Sequence, residues 1–309
     1  MPLRDISLEL PDRREGKVRV SWSLSPERRL IVTTDRLSAF DRVVAVVPHK
    51  GQVLNQLSAW WFASTRDIID NHFVSVPEPH AMVVVAAQPL PVEVVVRGAL
   101  TGSTSTALLT RYRAGEREMY GHHFADGLAP HSELPVALIT PTTKAVGGAH
   151  DEPLTIDDVV RRGLVEAGVW RRVCEAALAL FARGQRIAQH AGLFLADTKY
   201  EFGIDADGRL LLIDELHTPD SSRYWVQSSL AQRRAAGQEP ESLDKEPVRL
   251  ALAALGYRGE GAIPELADDV IMATSQRYVA AYERLTNEMF VAAPEPDSQA
   301  LLSAVQEAV

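Results

Sequence analysis

Over the first hundred positions, apolar residues alternate with polar ones in short runs broken by turn formers. Val18–Leu24 and Leu30–Thr34 are two such runs, separated by Ser25-Pro26-Glu27. Val83–Ala87 and Val92–Arg97 are two more, split by Pro89-Leu90-Pro91. Between the two pairs the spacing turns helical over Asn55–Asp70, with Leu57, Trp60, Trp61, Ile68 and Ile69 on one stripe. Core packing explains the two tryptophans better than a stacking platform for a cofactor does.

The second half opens on helices. Thr155 is an expected N-cap, with Asp157 and Asp158 in a first turn where the helix dipole favours negative charge. A longer helix is expected from Val169 to His190, ended by Gly192. A hairpin follows: Leu193–Ile204, a turn at Asp205-Ala206-Asp207-Gly208, then Leu210–Leu216. Ile271–Leu285 is a further helix, and Ala293–Asp297 breaks the chain before a short tail. The pattern predicts an α+β fold, with a β-rich lobe over residues 1–100 packed on a mixed α/β part over 101–309.

Composition narrows the function classes. The chain has 309 residues, 46% hydrophobic and 24% charged, as ordinary globular proteins do. Its formal charge of −9 argues against non-specific binding to nucleic acid or anionic membranes, so any phosphate must meet locally placed Arg and Lys. The one cysteine, Cys174, excludes an internal disulfide and a multi-cysteine zinc site, and is expected to fill core space. His122, His123 and His131 lack zinc spacing and are expected at the surface. The first residues lack a signal peptide's pattern, and the apolar run Ala81–Val96 is interrupted by Pro89, Pro91 and Glu93. Cytoplasm is the expected compartment, and nothing in the pattern specifies an oligomeric state.

The hairpin carries the sharpest chemistry. Period two puts Asp197, Lys199 and Glu201 on one strand face. With Asp207-Gly208 as the central pair of a type I′ turn, Glu201 falls opposite Asp214. Facing carboxylates weaken a bare sheet but suit Mg²⁺, which takes one or two carboxylates plus substrate phosphates. A register shifted by a residue or two would instead let Lys199 neutralise Asp214. A second element, Arg97-Gly98-Ala99-Leu100-Thr101-Gly102-Ser103, leads from a strand towards a helix over Thr104–Tyr112. It either holds an anion at the helix N-terminus or merely caps the helix through Ser103 or Thr104. A third, Gly16-Lys17-Val18-Arg19, points Lys17 and Arg19 the same way without being a Walker A loop. Asp35–Asp41, Thr140–Lys144 and Gly147–Asp151 are expected to be loops, and Thr218–Arg223 adds hydroxyls and an arginine beside the hairpin.

Taken in order, these segments resemble the phosphoribosylaminoimidazole-succinocarboxamide synthase (SAICAR synthetase) family over nearly the whole chain. Leu90–Ser103 and Leu195–Gly203 match its two signatures. Gly16–Arg19, Ser38–Asp41, Lys50-Gly51, Thr140–Lys144 with His150-Asp151, Asp214–Arg223, Ser242–Glu246 and Thr274–Tyr278 extend the likeness. Members usually carry an acidic residue directly after the Gly-Lys-Val-Arg run, where this chain has Val20. The resemblance implies an ATP-grasp and kinase-like α+β fold. It also implies an ATP- and Mg²⁺-dependent ligase joining carboxyaminoimidazole ribonucleotide to L-aspartate through an acyl phosphate. On that reading Glu201 and Asp214 anchor Mg²⁺, while Gly16, Lys17, Arg19 and Lys144 serve ATP. Arg97, Gly102, Ser103, Ser38, Asp41 and Ser222 serve the substrates. Lys199 and Arg223 are catalytic, with Asp197 orienting Lys199 or accepting the amine's proton. Competing readings are a ligase of other substrates, a small-molecule kinase and a nucleotide-binding regulator.

Overall fold

The computed structural model describes residues 2–144 and 151–308. Short polar turns and β-branched runs make the N-terminal region an antiparallel sheet. Its first strands are β1 (Arg14–Glu15), β2 (Arg19–Ser25) and β3 (Arg28–Thr33). The strands β4 (Arg36–Ala39) and β5 (Arg42–Val46) form a separate hairpin where a loop was expected. Its turn residues Phe40 and Asp41 have φ of 51° and 60°, the left-handed pair that a tight hairpin turn requires. Helix α1 (Lys50–Ser64) follows, starting and ending earlier than its apolar stripe suggests. The strands β6 (Phe73–Glu78) and β7 (Ala81–Val85) complete the sheet in the order β1-β2-β3-β7-β6.

Alternation gives this sheet two working faces. Val20, Trp22, Leu30 and Val32 point one way, into a core shared with Leu3, Ile6 and Leu8. Arg19 points the other way, towards the rest of the protein.

The second sheet is assembled around one long strand. Its first members are β8 (Ala87–Pro89) and β9 (Val92–Ala99), followed by α2 (Leu108–Arg113), β10 (Glu118–Met119) and β11 (His122–His123). Next come β12 (Glu133–Thr143), α3 (Ile156–Arg161), α4 (Ala167–His190), β13 (Leu193–Asp205), β14 (Leu210–Ile213) and β15 (Ser222–Val226). Of the Thr140–Lys144 stretch, expected as a loop, Thr140–Thr143 form the end of β12 and Lys144 follows it, while residues 147–150 of the following expected loop lie outside the described residues. The sheet runs β12-β9-β13-β14, and β13 also pairs with β15 and β8. Asp197–Tyr200 of β13 pair with β9, and its far end pairs with β14, so β13 joins both halves of the site. Helix α3 has the Thr155 cap, reciprocated by Asp158 in a capping box. Helix α4 buries Val173, Ala177, Leu180 and Phe181 against β13.

The β13–β14 register differs from expectation by one residue. Glu201 faces Ile213, not Asp214. The loop has three residues, with Gly208 at φ 79°. The Asp205 carboxylate accepts N–H bonds from Asp207 and Arg209 (3.0 and 2.8 Å). That side chain closes a longer turn than Asp-Gly alone suggests. Asp214 leaves the ladder with φ 70°.

The chain ends with α5 (Gln227–Ala235), α6 (Glu246–Ala254), α7 (Asp268–Thr286) and α8 (Ser298–Ala308). The expected short tail is α8, whose Leu301 and Val305 join the core on the outer face of the first sheet. Trp61 is buried with its ring against His217, so it does pack the core, and Cys174 is half-buried beside the same core. His131, expected at the surface, is buried between Thr101 (3.0 Å) and Glu239 (3.1 Å).

Gly51 sits where β3 crosses the start of α1, and a Cβ there would lie 2.3 Å from the Thr33 carbonyl oxygen. Gly51→Ala should destabilise the protein by about 1–3 kcal/mol, read as a lower urea midpoint at unchanged slope. Burial pushes the His72 and His217 imidazoles down from 6.5 to about 3, so both stay neutral in the folded state. Below pH 6.5 the unfolded chain binds protons that these rings refuse, so stability falls with falling pH. Each should contribute about 1.4 kcal/mol per pH unit, and urea midpoints between about pH 7 and 5 should show a shallower slope in His217→Gln.

Candidate active site

Two charged clusters form where β9 and β13 lie side by side. Period two places Asp197, Lys199 and Glu201 on one face of β13. The register of β9 sets Arg97 opposite Asp197 and Val95 opposite Lys199.

The first cluster centres on Lys199. Its Nζ lies 2.5 Å from Glu201 Oε1, 3.1 Å from Glu93 Oε1 and 3.8 Å from Asp214 Oδ2. Lys144 donates to the other oxygen of Glu201. From β2, Arg19 donates to Asp214 and Glu215, each at 2.8 Å. Burial alone would lower the Lys199 ammonium, yet Glu201, Glu93 and Asp214 hold it well above its ordinary value. Burial would raise Glu201, but Lys199 and Lys144 hold it well below the usual carboxylate range. At Asp214 burial wins over Arg19, and the carboxyl is raised. The expected Glu201–Asp214 pairing is not formed, and the shifted register instead brings Lys199 to Asp214 as well as to Glu201.

The second cluster centres on Asp197, buried between Arg223 (2.7 Å) and Arg97 (3.3 Å). Arg97 also donates to Thr140 Oγ1 (2.9 Å), which ties it into the protein on a second side. Arg223 continues to Glu246 (3.1 Å), which also accepts from Arg249 (2.9 Å). Ser103 faces this cluster, since its hydroxyl helps lower the Glu246 carboxyl, which sits at about 2 through Arg223 and Arg249 against the effect of burial. Gly102 has φ 102°, and a Cβ there would come within 2.6 Å of Ala107 and 3.4 Å of the Arg223 guanidinium. The turn can lie against Arg223 only with glycine. Ser103 and Thr104 do not cap α2, whose N-cap is Ala107.

Other expected residues lie at the margins. Lys17 is exposed and pairs with Asp41 at 2.5 Å, linking the entry to β2 with the β4–β5 turn. Gly16 makes the bend into β2 by donating its N–H to the Arg19 carbonyl (2.8 Å). Ser38 lies in β4 opposite Val43, and no hydrogen bond joins it to either cluster among the described residues. The Ser222 hydroxyl is buried 2.8 Å from that of Thr198. Val20 is buried in the outer core, facing away from Arg19 and from both clusters, so no acidic side chain is missing from the site itself.

Several site residues had no role assigned from sequence. Glu93 interrupts a buried apolar strand, which is itself a signal. Lys50, fully buried at the start of α1 where the dipole disfavours a cation, pairs with Asp220 at 2.9 Å. Tyr278 donates to the same carboxylate (2.5 Å). Burial would raise Asp220, but Lys245 and Lys50 hold it well below the usual range.

The donor chemistry of Glu201 and Asp214 fits a hard cation. Among the described residues no group of three or more His, Cys, Asp or Glu is placed to cage a metal. Two carboxylates completed by phosphate oxygens is the pattern Mg²⁺ takes with nucleotides. Arg19, Lys144, Lys199 and Arg223 can meet polyanionic substrates only by exchanging carboxylate partners for them.

Comparison with known proteins identifies the family. The family model described as SAICAR synthetase matches residues 12–265. A phosphoribosylaminoimidazole-succinocarboxamide synthase of Legionella pneumophila (strain Lens) is 44% identical over 308 residues, 98% of this chain and 97% of that protein. A Saccharomyces cerevisiae SAICAR synthase structure, complexed with SAICAR, matches with TM-score 0.76 and 30% identity over 93% of this chain and 99% of that one. A type 2 SAICAR synthetase in complex with ADP shares the fold, with TM-score 0.69 and 24% identity over 91% of this chain and all of that chain (100%). A domain match over most of the chain, a full-length relative and a shared fold agree, and the chain belongs to the SAICAR synthetase family.

Proposed function

We propose that this SAICAR-forming ligase of purine biosynthesis activates carboxyaminoimidazole ribonucleotide with ATP as an acyl phosphate, then joins it to the amine of L-aspartate. The observation that carries the proposal is Lys199 bracketed by Glu201 and Asp214 on a charged face shared by β9 and β13. A carboxylate does not accept an amine unaided. Bringing it to a phosphate joins two anions, so the protein's work is positioning and charge neutralisation. Lys199 steadies the transferred phosphoryl group, remaining protonated for that task. Arg19 and Lys144 exchange their carboxylates for ATP phosphates, and Lys17 guards the entrance with Asp41. Arg223, Ser103 and the Gly102 turn hold the ribotide or the aspartate carboxylates.

Mg²⁺ would be held by Glu201 and Asp214, where it supplies Lewis-acid neutralisation of phosphate oxygens. Asp197, locked between Arg97 and Arg223, orients Arg223. No helix among the described residues is long and apolar enough to cross a membrane. The charge of −9 supports an enzyme acting on small molecules with no nucleic-acid partner, and cytoplasm is the proposed compartment.

Two measurements test the proposal. Substrate labelled with ¹⁸O in its carboxylate should pass one label to the phosphate released, and phosphate free of label would exclude the acyl phosphate. Lys199→Met should lower turnover by about 10²–10³-fold with the fold intact by circular dichroism. Near-normal turnover in that variant would remove Lys199 from the mechanism.

A further inference from the structure

We propose that His131 is a positioning residue of the ligase: it ties the Thr101-Gly102-Ser103 turn to the stretch of chain that backs Arg223, and so sets the grip of that end of the site on its anionic substrate. The inference rests on the ligase reading above, in which Ser103, the Gly102 turn and Arg223 hold one of the substrates.

Within its own segment the turn is held at the backbone, where the Leu109 amide and the Thr110 hydroxyl donate to the Thr101 and Gly102 carbonyls (both 3.2 Å). Its side chains find partners elsewhere. At one end the Ser103 hydroxyl bonds to Glu246, which holds Arg223. At the other, the Thr101 hydroxyl lies 3.0 Å from His131 Nδ1, and His131 Nε2 lies 3.1 Å from a Glu239 oxygen. Glu239 and Glu246 belong to one stretch of chain, running from the end of α5 to the start of α6. That stretch lies along β15, the strand that carries Arg223. The Val226 N–H donates to the Glu241 carbonyl (2.8 Å), and the Leu243 N–H to the Tyr224 carbonyl (2.9 Å). The turn is therefore fastened at both ends to the backing of Arg223.

The chain around His131 aims its ring at Thr101. The His131 N–H donates to the Leu100 carbonyl (2.8 Å), and the Leu100 N–H donates to the Ser132 carbonyl (2.9 Å), which sets His131 beside the start of the turn. Its φ of 61° is left-handed, a conformation that histidine adopts more readily than β-branched residues do. The Trp225 ring meets the imidazole edge-on, with centroids 5.7 Å apart. Thr101 and His131 are buried, whereas the Glu239 side chain is 48% exposed, so the bridge runs from the wall of the site to the surface.

Hydrogen-bond chemistry fixes the direction of the bridge. A carboxylate only accepts, so His131 Nε2 donates to Glu239, and that bond holds the Glu239 carboxyl below its ordinary value. Nδ1 accepts from the Thr101 hydroxyl in a neutral ring and donates to it in a charged one, so the bridge stands in either form. Gly102 backs directly on the Arg223 guanidinium, which a Cβ would approach to 3.4 Å. Slackening at Thr101 therefore displaces Ser103 and the turn relative to Arg223, and acts on substrate binding before it acts on chemistry.

Steady-state kinetics of Glu239→Ala test the inference, because an exposed side chain can be removed without opening the core. Ser103→Ala supplies the standard, marking by its raised KM the substrate that this end holds. Glu239→Ala should raise that same KM by about 10-fold at little-changed kcat, as loss of an outer hydrogen-bond partner commonly does. His131→Asn should do likewise, since asparagine suits the left-handed backbone and reaches Thr101 but not Glu239. Glu239→Gln, which still accepts from His131, should restore the wild-type KM. In the Ser103→Ala background Glu239→Ala should add little, because both changes act through one turn. An unchanged KM in Glu239→Ala, or increases that multiply in the double variant, would overturn the inference. A fall in kcat at unchanged KM would overturn it too, as would Ser103→Ala with neither substrate's KM moved. Wild-type protein that releases no ADP with aspartate would overturn the ligase reading and the inference with it.

Discussion

Buried charge at the two clusters is tolerated because Lys199, Arg19 and Asp197 each lie against opposite charge on a neighbouring element, and the position of β13 follows from that constraint. Lys199 between Glu93, Glu201 and Asp214 joins β9, β13 and the end of β14. Arg19 joins the first sheet to the same point. Asp197 does the equivalent work for Arg97 and Arg223. Removing one partner from such a pair leaves an uncompensated charge, which costs about 3–5 kcal/mol. The arrangement is therefore a registry device for the sheet as well as the proposed substrate site.

The same constraint accounts for how the site can work. On the proposed reading, a polyanionic substrate entering the first cluster would offer phosphate oxygens to Arg19, Lys144 and Lys199, and the carboxylates they release would face a hard cation. Exchange of partners leaves no charge bare at any stage. The strand framework beneath is tied together by the β9–β13 ladder.

Much of this was legible in the chain. Period two alone grouped Asp197, Lys199 and Glu201, and the capping pattern located α3. The β13–β14 register was not legible, because the Asp205 side chain closes the turn by bonding to its amides and adds a residue to the loop. Short polar strands such as β4 and β5 carry almost no apolar alternation, so they resemble loops. Arg97 and Ser222 have residue types suited to substrate, yet tertiary pairing with Thr140 and Thr198 engages them within the protein. Lys50 was visible only as part of a family match, since its role depends on Asp220, 170 residues away along the chain.

The most direct measurement is ADP release by the purified protein with ATP, Mg²⁺, carboxyaminoimidazole ribonucleotide and L-aspartate, each omitted in turn, with the product weighed by mass spectrometry. Release that needs all four and yields the succinocarboxamide mass is the result expected of a ligase built on this charge network. ADP release undiminished without aspartate, or a product of phosphorylated carboxylate alone, would contradict it.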